Sequence, residues 1–188
     1  MTTDRVPARS WYSEPTPSTV QGWKVPCCRG CYNDLSRVES NLVISLRPCI
    51  KPGDMAEWPV GRISYSDLHQ ITEKFGRGSE YRLANRYVEA PYGLRTFIGH
   101  PDEIREKYDG EQLFDLGPGF QVKCVRNAEN PGDAAYWFLL WDTICLKVFI
   151  SFESVLLELE PRFSRLKAFT LDDILQKRQF RAAAAHLR

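Results

Sequence analysis

The 188-residue sequence predicts an α+β fold. Three observations predict it: an apolar stripe of helical period early in the chain, a late series of strand-like runs separated by turn residues, and a helical pattern at the C-terminus. With 43% hydrophobic and 12% aromatic residues the chain can bury a core, and a nearly balanced 26% of charged residues excludes both a disordered chain and a polycation.

Residues 1–26, with Pro7, Pro15, Pro17 and Pro26, carry neither helix nor strand period and read as an irregular segment laid across a surface. Leu35, Val38, Leu42 and Leu46, after an Asn or Asp cap, predict a helix over 34–47 that stops before Pro48. Glu39 falls inside that apolar stripe, about 40° from Leu35 at 100° per residue. A carboxylate there is either paired or working. Residues 48–64, rich in proline and glycine, read as a connection, and Ser66 caps a short helix from Asp67 to about Phe75. Strand-like runs follow at 81–88 and 94–99. His100-Pro101-Asp102-Glu103 reads as a capped start to a short helix that ends near Gly110. Strands at 120–126, 135–141 and 144–152, with turns at Asn130–Asp133 and Asp142-Thr143, make an antiparallel meander, and 155–159 is a candidate fourth strand. A last helix runs from about Leu171, started by Thr170 and Asp173, through the alanines at 182–185. The organisation is an N-terminal segment, 1–50, and an α+β body, 51–188, joined in one compact unit.

Several function classes are excluded. No apolar run reaches the roughly 20 residues of a membrane-spanning helix, since Asp142, Thr143 and Lys147 interrupt the richest stretch. Met1 to Arg9 lacks the apolar region of a secretory signal, so the expected compartment is the cytosol. No phosphate-binding loop, nucleophile elbow or dinucleotide fingerprint is present, and Gly117-Pro118-Gly119 is a turn. Charge is segregated: residues 1–51 hold seven basic and four acidic residues, 52–161 eleven and eighteen, and 162–188 seven and two. The basic ends suit phosphate contacts or a solvated helix face. Among the aromatic residues, Tyr136, Trp137, Phe138, Trp141, Phe149 and Phe152 suit a stacking surface on one face of the meander and core on the other.

Cysteines stand at 27, 28, 31, 49, 124 and 145. Cys28 and Cys31 have the spacing of a zinc knuckle, which is half of a four-ligand site. The remaining candidates, Cys27, Cys49 and the histidines at 69, 100 and 186, have no diagnostic spacing, while Cys124 and Cys145 read as buried small hydrophobes.

These pieces fall in a recognisable order: Thr3-Asp4-Arg5-Val6-Pro7, then Val25-Pro26-Cys27-Cys28-Arg29-Gly30-Cys31-Tyr32-Asn33, then Leu35-Ser36 and Glu39. Over residues 3–42 the chain resembles the HNH-endonuclease-like, zinc-knuckle branch of the treble-clef proteins. The resemblance implies a treble-clef-like N-terminal segment, a structural zinc held by Cys28 and Cys31, and nucleic-acid binding through Arg5, Arg9 and Arg29. It also implies metal-dependent phosphodiester hydrolysis in which Asp4, Asn33 and Glu39 hold a divalent metal or orient water. Arg5 stands where the family has its general-base histidine, and an arginine of pKa above about 12 accepts no proton. Tyr32 replaces the first of two asparagines. The alternative function is a non-enzymatic protein-interaction module, an inhibitor or immunity-type partner, with a relic zinc knuckle as scaffold.

Overall fold

In a computed structural model the described residues are 2–7, 11–12, 23–50, 65–117, 119–142 and 144–166. Arg9, the side chain of Arg5 and the helix expected from Leu171 lie outside them. The chain is α+β. It divides into two compact units, Met1–Ala90 with Asp115–Gly117, and Pro91–Phe114 with Pro118–Arg188. The boundary thus falls at Ala90–Pro91, and the helix following the 48–64 connection belongs with the N-terminal segment.

In the first unit the proline-rich N-terminus is partly strand. Thr2–Arg5 (β1) pairs antiparallel with Lys24–Cys27 (β2), setting Asp4 opposite Val25. The Val6 N–H donates to the Trp23 carbonyl and prolongs the pairing. The next helix, α1, spans Arg29–Ile50, starting earlier and ending later than the apolar stripe predicted. Its cap is Cys28, whose carbonyl accepts the Tyr32 N–H at 2.9 Å and whose Sγ accepts the Cys31 N–H at 3.0 Å. A thiol thereby does the work usually given to serine, threonine or asparagine. The helix continues past Pro48, where it was expected to stop, at the cost of the one backbone bond that proline cannot donate.

Helix α2 spans Tyr65–Ala84, twice the predicted length, and overturns the strand expected at 81–88. Gly78, inside the helix, allows close packing: a Cβ there would sit 2.6 Å from Cγ2 of the buried Val6. The helix ends where Asn85 takes a left-handed φ of 52°, a usual stop signal. Leu68, Ile71 and Phe75 are buried as expected, and Trp11 meets Phe75 edge-on at 5.5 Å.

The second unit carries a five-stranded sheet in the order β3-β7-β6-β5-β4, formed by Tyr92–Gly99 (β3), Gln112–Gly117 (β4), Phe120–Arg126 (β5), Ala134–Leu140 (β6) and Ile144–Phe152 (β7). The predicted meander is present, while β4 had no clear alternation to reveal it. His100 caps a 3-10 turn, Pro101–Arg105, through its Nδ1 and the Asp102 N–H, with Glu103 reaching back to the His100 N–H. The candidate strand at 155–159 is helical instead, inside α3, Glu153–Leu166. Leu156 is buried and Leu159, three positions on, packs partly buried against the same cluster, while Val155 and Leu157 are exposed. Arg95 on β3 ties the helix down through Glu153 and Glu160. Of the aromatics expected to form a stacking surface on the meander, Tyr136, Trp137, Phe138 and Trp141 are buried and Phe149 and Phe152 half-buried.

The packing at Gly78 yields a test. Gly78→Ala should lower stability by about 1–3 kcal/mol through overpacking, despite alanine's better helix propensity. Combined with Val6→Ala, it should cost less than the two single changes added together, as read by urea unfolding.

Candidate functional site

The anomaly in the sequence, an acid on the apolar stripe of α1, is resolved by a lysine from α2. Lys74 Nζ lies 2.6 Å from Asp4 Oδ2 and 2.8 Å from Glu39 Oε2. The side chains of all three are at least nine-tenths buried, at 6% exposure for Lys74 and Asp4 and 4% for Glu39. One ammonium therefore links β1, α1 and α2. Asp4 reaches it because strand alternation turns Thr3 outward and Asp4 inward. Glu39 shares its face of α1 with the buried Leu42. Lys74 follows Ile71 by three positions on α2, about 60° around the helix at 100° per residue, at the margin of the buried face.

Two carboxylates around one ammonium leave an excess of negative charge away from water. Burial pushes the Glu39 carboxyl above its ordinary pKa, Lys74 opposes that shift and Asp4 adds to it. Glu39 Oε1 has no hydrogen bond among the described residues. Cys27, at the end of β2, is also raised, by burial first and then by the Asp4 charge.

The other predicted site residues lie elsewhere. Asn33 is exposed, six positions before Glu39 on α1, about 9 Å along the axis and about 120° around it. Cys28, Arg29, Gly30, Cys31, Tyr32, Asn33 and Asp34 are exposed in succession, so the first turns of α1 project into solvent. The two neighbouring thiols shift each other in opposite directions, Cys28 down and Cys31 up.

Neither implied metal finds a complete donor set. Among the described residues no group of three or more His, Cys, Asp or Glu side chains is placed to hold a metal ion. Cys28 and Cys31 supply two of the four ligands of a closed zinc site, and between Asp4 and Glu39 the cation position is taken by Lys74.

A second buried-charge cluster, which the sequence did not reveal, lies in the second unit. Lys123, 1% exposed, donates to the carbonyls of Glu103 at 3.0 Å and Glu106 at 2.7 Å. Its Nζ also sits over the rings of Tyr108 and Trp137 at 4.7 and 4.9 Å. Lys147 pairs with Glu103 at 2.6 Å. These partners tie both lysines to the turn that follows β3. Cys124 and Cys145 are buried as expected, and burial pushes the Cys145 thiol up to about 12. No membrane-spanning helix occurs among the described residues.

No protein-family model, curated protein or solved structure matches the chain.

Two outcomes follow from the charge cluster. Lys74→Met, which strands two buried carboxylates, should destabilise the protein by about 3–5 kcal/mol, whereas the triple change Asp4→Asn, Glu39→Gln, Lys74→Met should cost far less than the three single losses combined. The raised Glu39 pKa lets the folded state keep a proton to higher pH than the unfolded chain. Its stabilising contribution is complete below the ordinary glutamate pKa of about 4.3 and is lost as pH rises through the raised value. As pH rises above about 4 the wild type should therefore lose stability relative to Glu39→Gln, as followed by chemical denaturation over a pH series.

Proposed function

We propose that the chain is a degenerate HNH-like protein that binds nucleic acid without cutting it. The observation that carries the reading is Lys74 held between Asp4 and Glu39. The two acids that match the family motif, distant in sequence, meet at one point, which favours a shared ancestry for that point. Their charge is directed to an internal ammonium, away from solvent and from any substrate. Arg5 at the general-base position supplies no proton acceptor at neutral pH. Metal-bridged hydrolysis through Asp4 and Glu39 would require Lys74 to leave, exposing two desolvated carboxylates.

Binding is supported by what remains exposed. Arg29 opens α1, where the amide groups and helix dipole favour anions, and Lys24 and Arg37 are exposed on β2 and α1. Their positive charge suits phosphate contacts, which are independent of base sequence. With two or three such contacts, the logarithm of the association constant for duplex DNA should fall with log salt at a slope of about −2 to −3. Arg29→Ala combined with Lys24→Ala should remove about two units of that slope, as measured by fluorescence anisotropy. No strand cleavage should accompany binding in the presence of Mg²⁺ or Mn²⁺. Cleavage abolished by Asp4→Asn would overturn the non-cutting reading.

The protein-interaction alternative draws on a different feature, an open apolar groove of about 360 Å³ in the second unit. Val125, Ala135, Phe149, Val155, Leu156 and Leu159 contribute to its lining. Absence of any salt-dependent association with DNA or RNA would favour that reading.

A further inference from the structure

We propose that Cys28 and Cys31 are a reversible oxidation site, a dithiol that closes to an intramolecular disulfide in exchange with a low-molecular-weight disulfide. Four observations meet here. Both residues are free cysteines and both are exposed. They are three positions apart across the cap of α1, and the Cys31 N–H is already within 3.0 Å of Cys28 Sγ. The helix start that carries them is exposed without interruption from Cys28 to Asp34. Finally, the described residues bring these two sulfurs no third or fourth metal ligand. Two accessible thiols with no completed metal site beside them have the geometry that Cys-x-x-Cys pairs use in thiol–disulfide exchange.

The chemistry balances with one disulfide molecule per closure. The Cys28 thiolate attacks one sulfur of RSSR, forming Cys28–S–SR and releasing RS⁻. The Cys31 thiol then loses its proton to solvent and attacks Cys28 Sγ, forming the Cys28–Cys31 bond and releasing a second RS⁻. The protein loses two electrons and two protons, and one RSSR becomes two thiols after protonation. Cys28 is assigned as the attacking sulfur because its exposed Sγ accepts the Cys31 amide N–H at the start of α1, a contact that holds it in place for exchange. The neighbouring Cys27 is partly buried at the end of β2 and is assigned no part in the exchange.

The inference does not rest on nucleic-acid binding, and its test is separate. The full chain, reduced and then desalted, is equilibrated with oxidised glutathione as the probe, free thiols are alkylated, and the peptides are mapped by mass spectrometry. The wild type should show a Cys28–Cys31 link, lighter by two hydrogens and reversed by dithiothreitol. Cys31→Ser should instead trap glutathione on Cys28 at near-complete occupancy, at least tenfold above the wild type. Cys28→Ser, which keeps a capping hydroxyl at that position, should trap none there. Zinc content measured on the same preparation provides a second readout. Full alkylation of both cysteines after equilibration, a link that uses Cys27 instead, or one zinc per chain released on modification of Cys28 would each overturn the proposal.

Discussion

Removing an ammonium and two carboxylates from water is the constraint around which the first unit is arranged. Each charge brings a desolvation penalty of several kcal/mol, and only close, well-directed partners offset it. Lys74 meets that demand at 2.6 and 2.8 Å, and in doing so fixes where β1, α1 and α2 approach each other. The close contact of Gly78 with Val6 belongs to the same arrangement: the glycine lets α2 lie against the residue two places after Asp4. Packing and charge therefore act at one locus. If the helix moved outward by the width of a methyl group, the ion pairs would lengthen in an environment that penalises separated charge.

The same locus sets the chemistry the unit offers. A carboxylate pair serves catalysis when it faces a substrate and has spare coordination. Asp4 and Glu39 are turned inward, and their nearest cation belongs to the protein. What the unit presents outward is different in kind: a helix start bearing a guanidinium, a tyrosine ring and two thiols, all exposed. Recognition and redox chemistry suit such a surface, because both require access more than enclosure.

Much of the fold was legible because strand and turn chemistry agree locally. Asn130–Asp133 and the apolar alternation around it specify the meander without reference to distant residues. The failures have identifiable causes. Cys28 caps α1, and a thiol is not among the residues that announce a helix start. Gly78 has poor helix propensity, but its close packing on Val6 overrides it. The apolar run at 155–159 is short enough to satisfy either period. At the site, Glu39 was visible as an acid on an apolar stripe, whereas its partner was not: a lysine beside Ile71 is ordinary at the margin of an amphipathic helix, since its stem packs on apolar surface. Only the folded chain shows that its ammonium points inward.

In the second unit, Lys123, Trp137 and Lys147 stand directly opposite one another on three adjacent strands. The opposite face of those strands carries Val122, Cys124, Tyr136, Phe138, Leu146 and Val148, all buried. Because side chains alternate with a period of two, sliding β5 or β7 by a single residue would carry an ammonium group into that apolar layer, away from the carbonyls and the carboxylate that receive it. Misaligned pairings of these hydrophobic strands are thus penalised by a stranded charge.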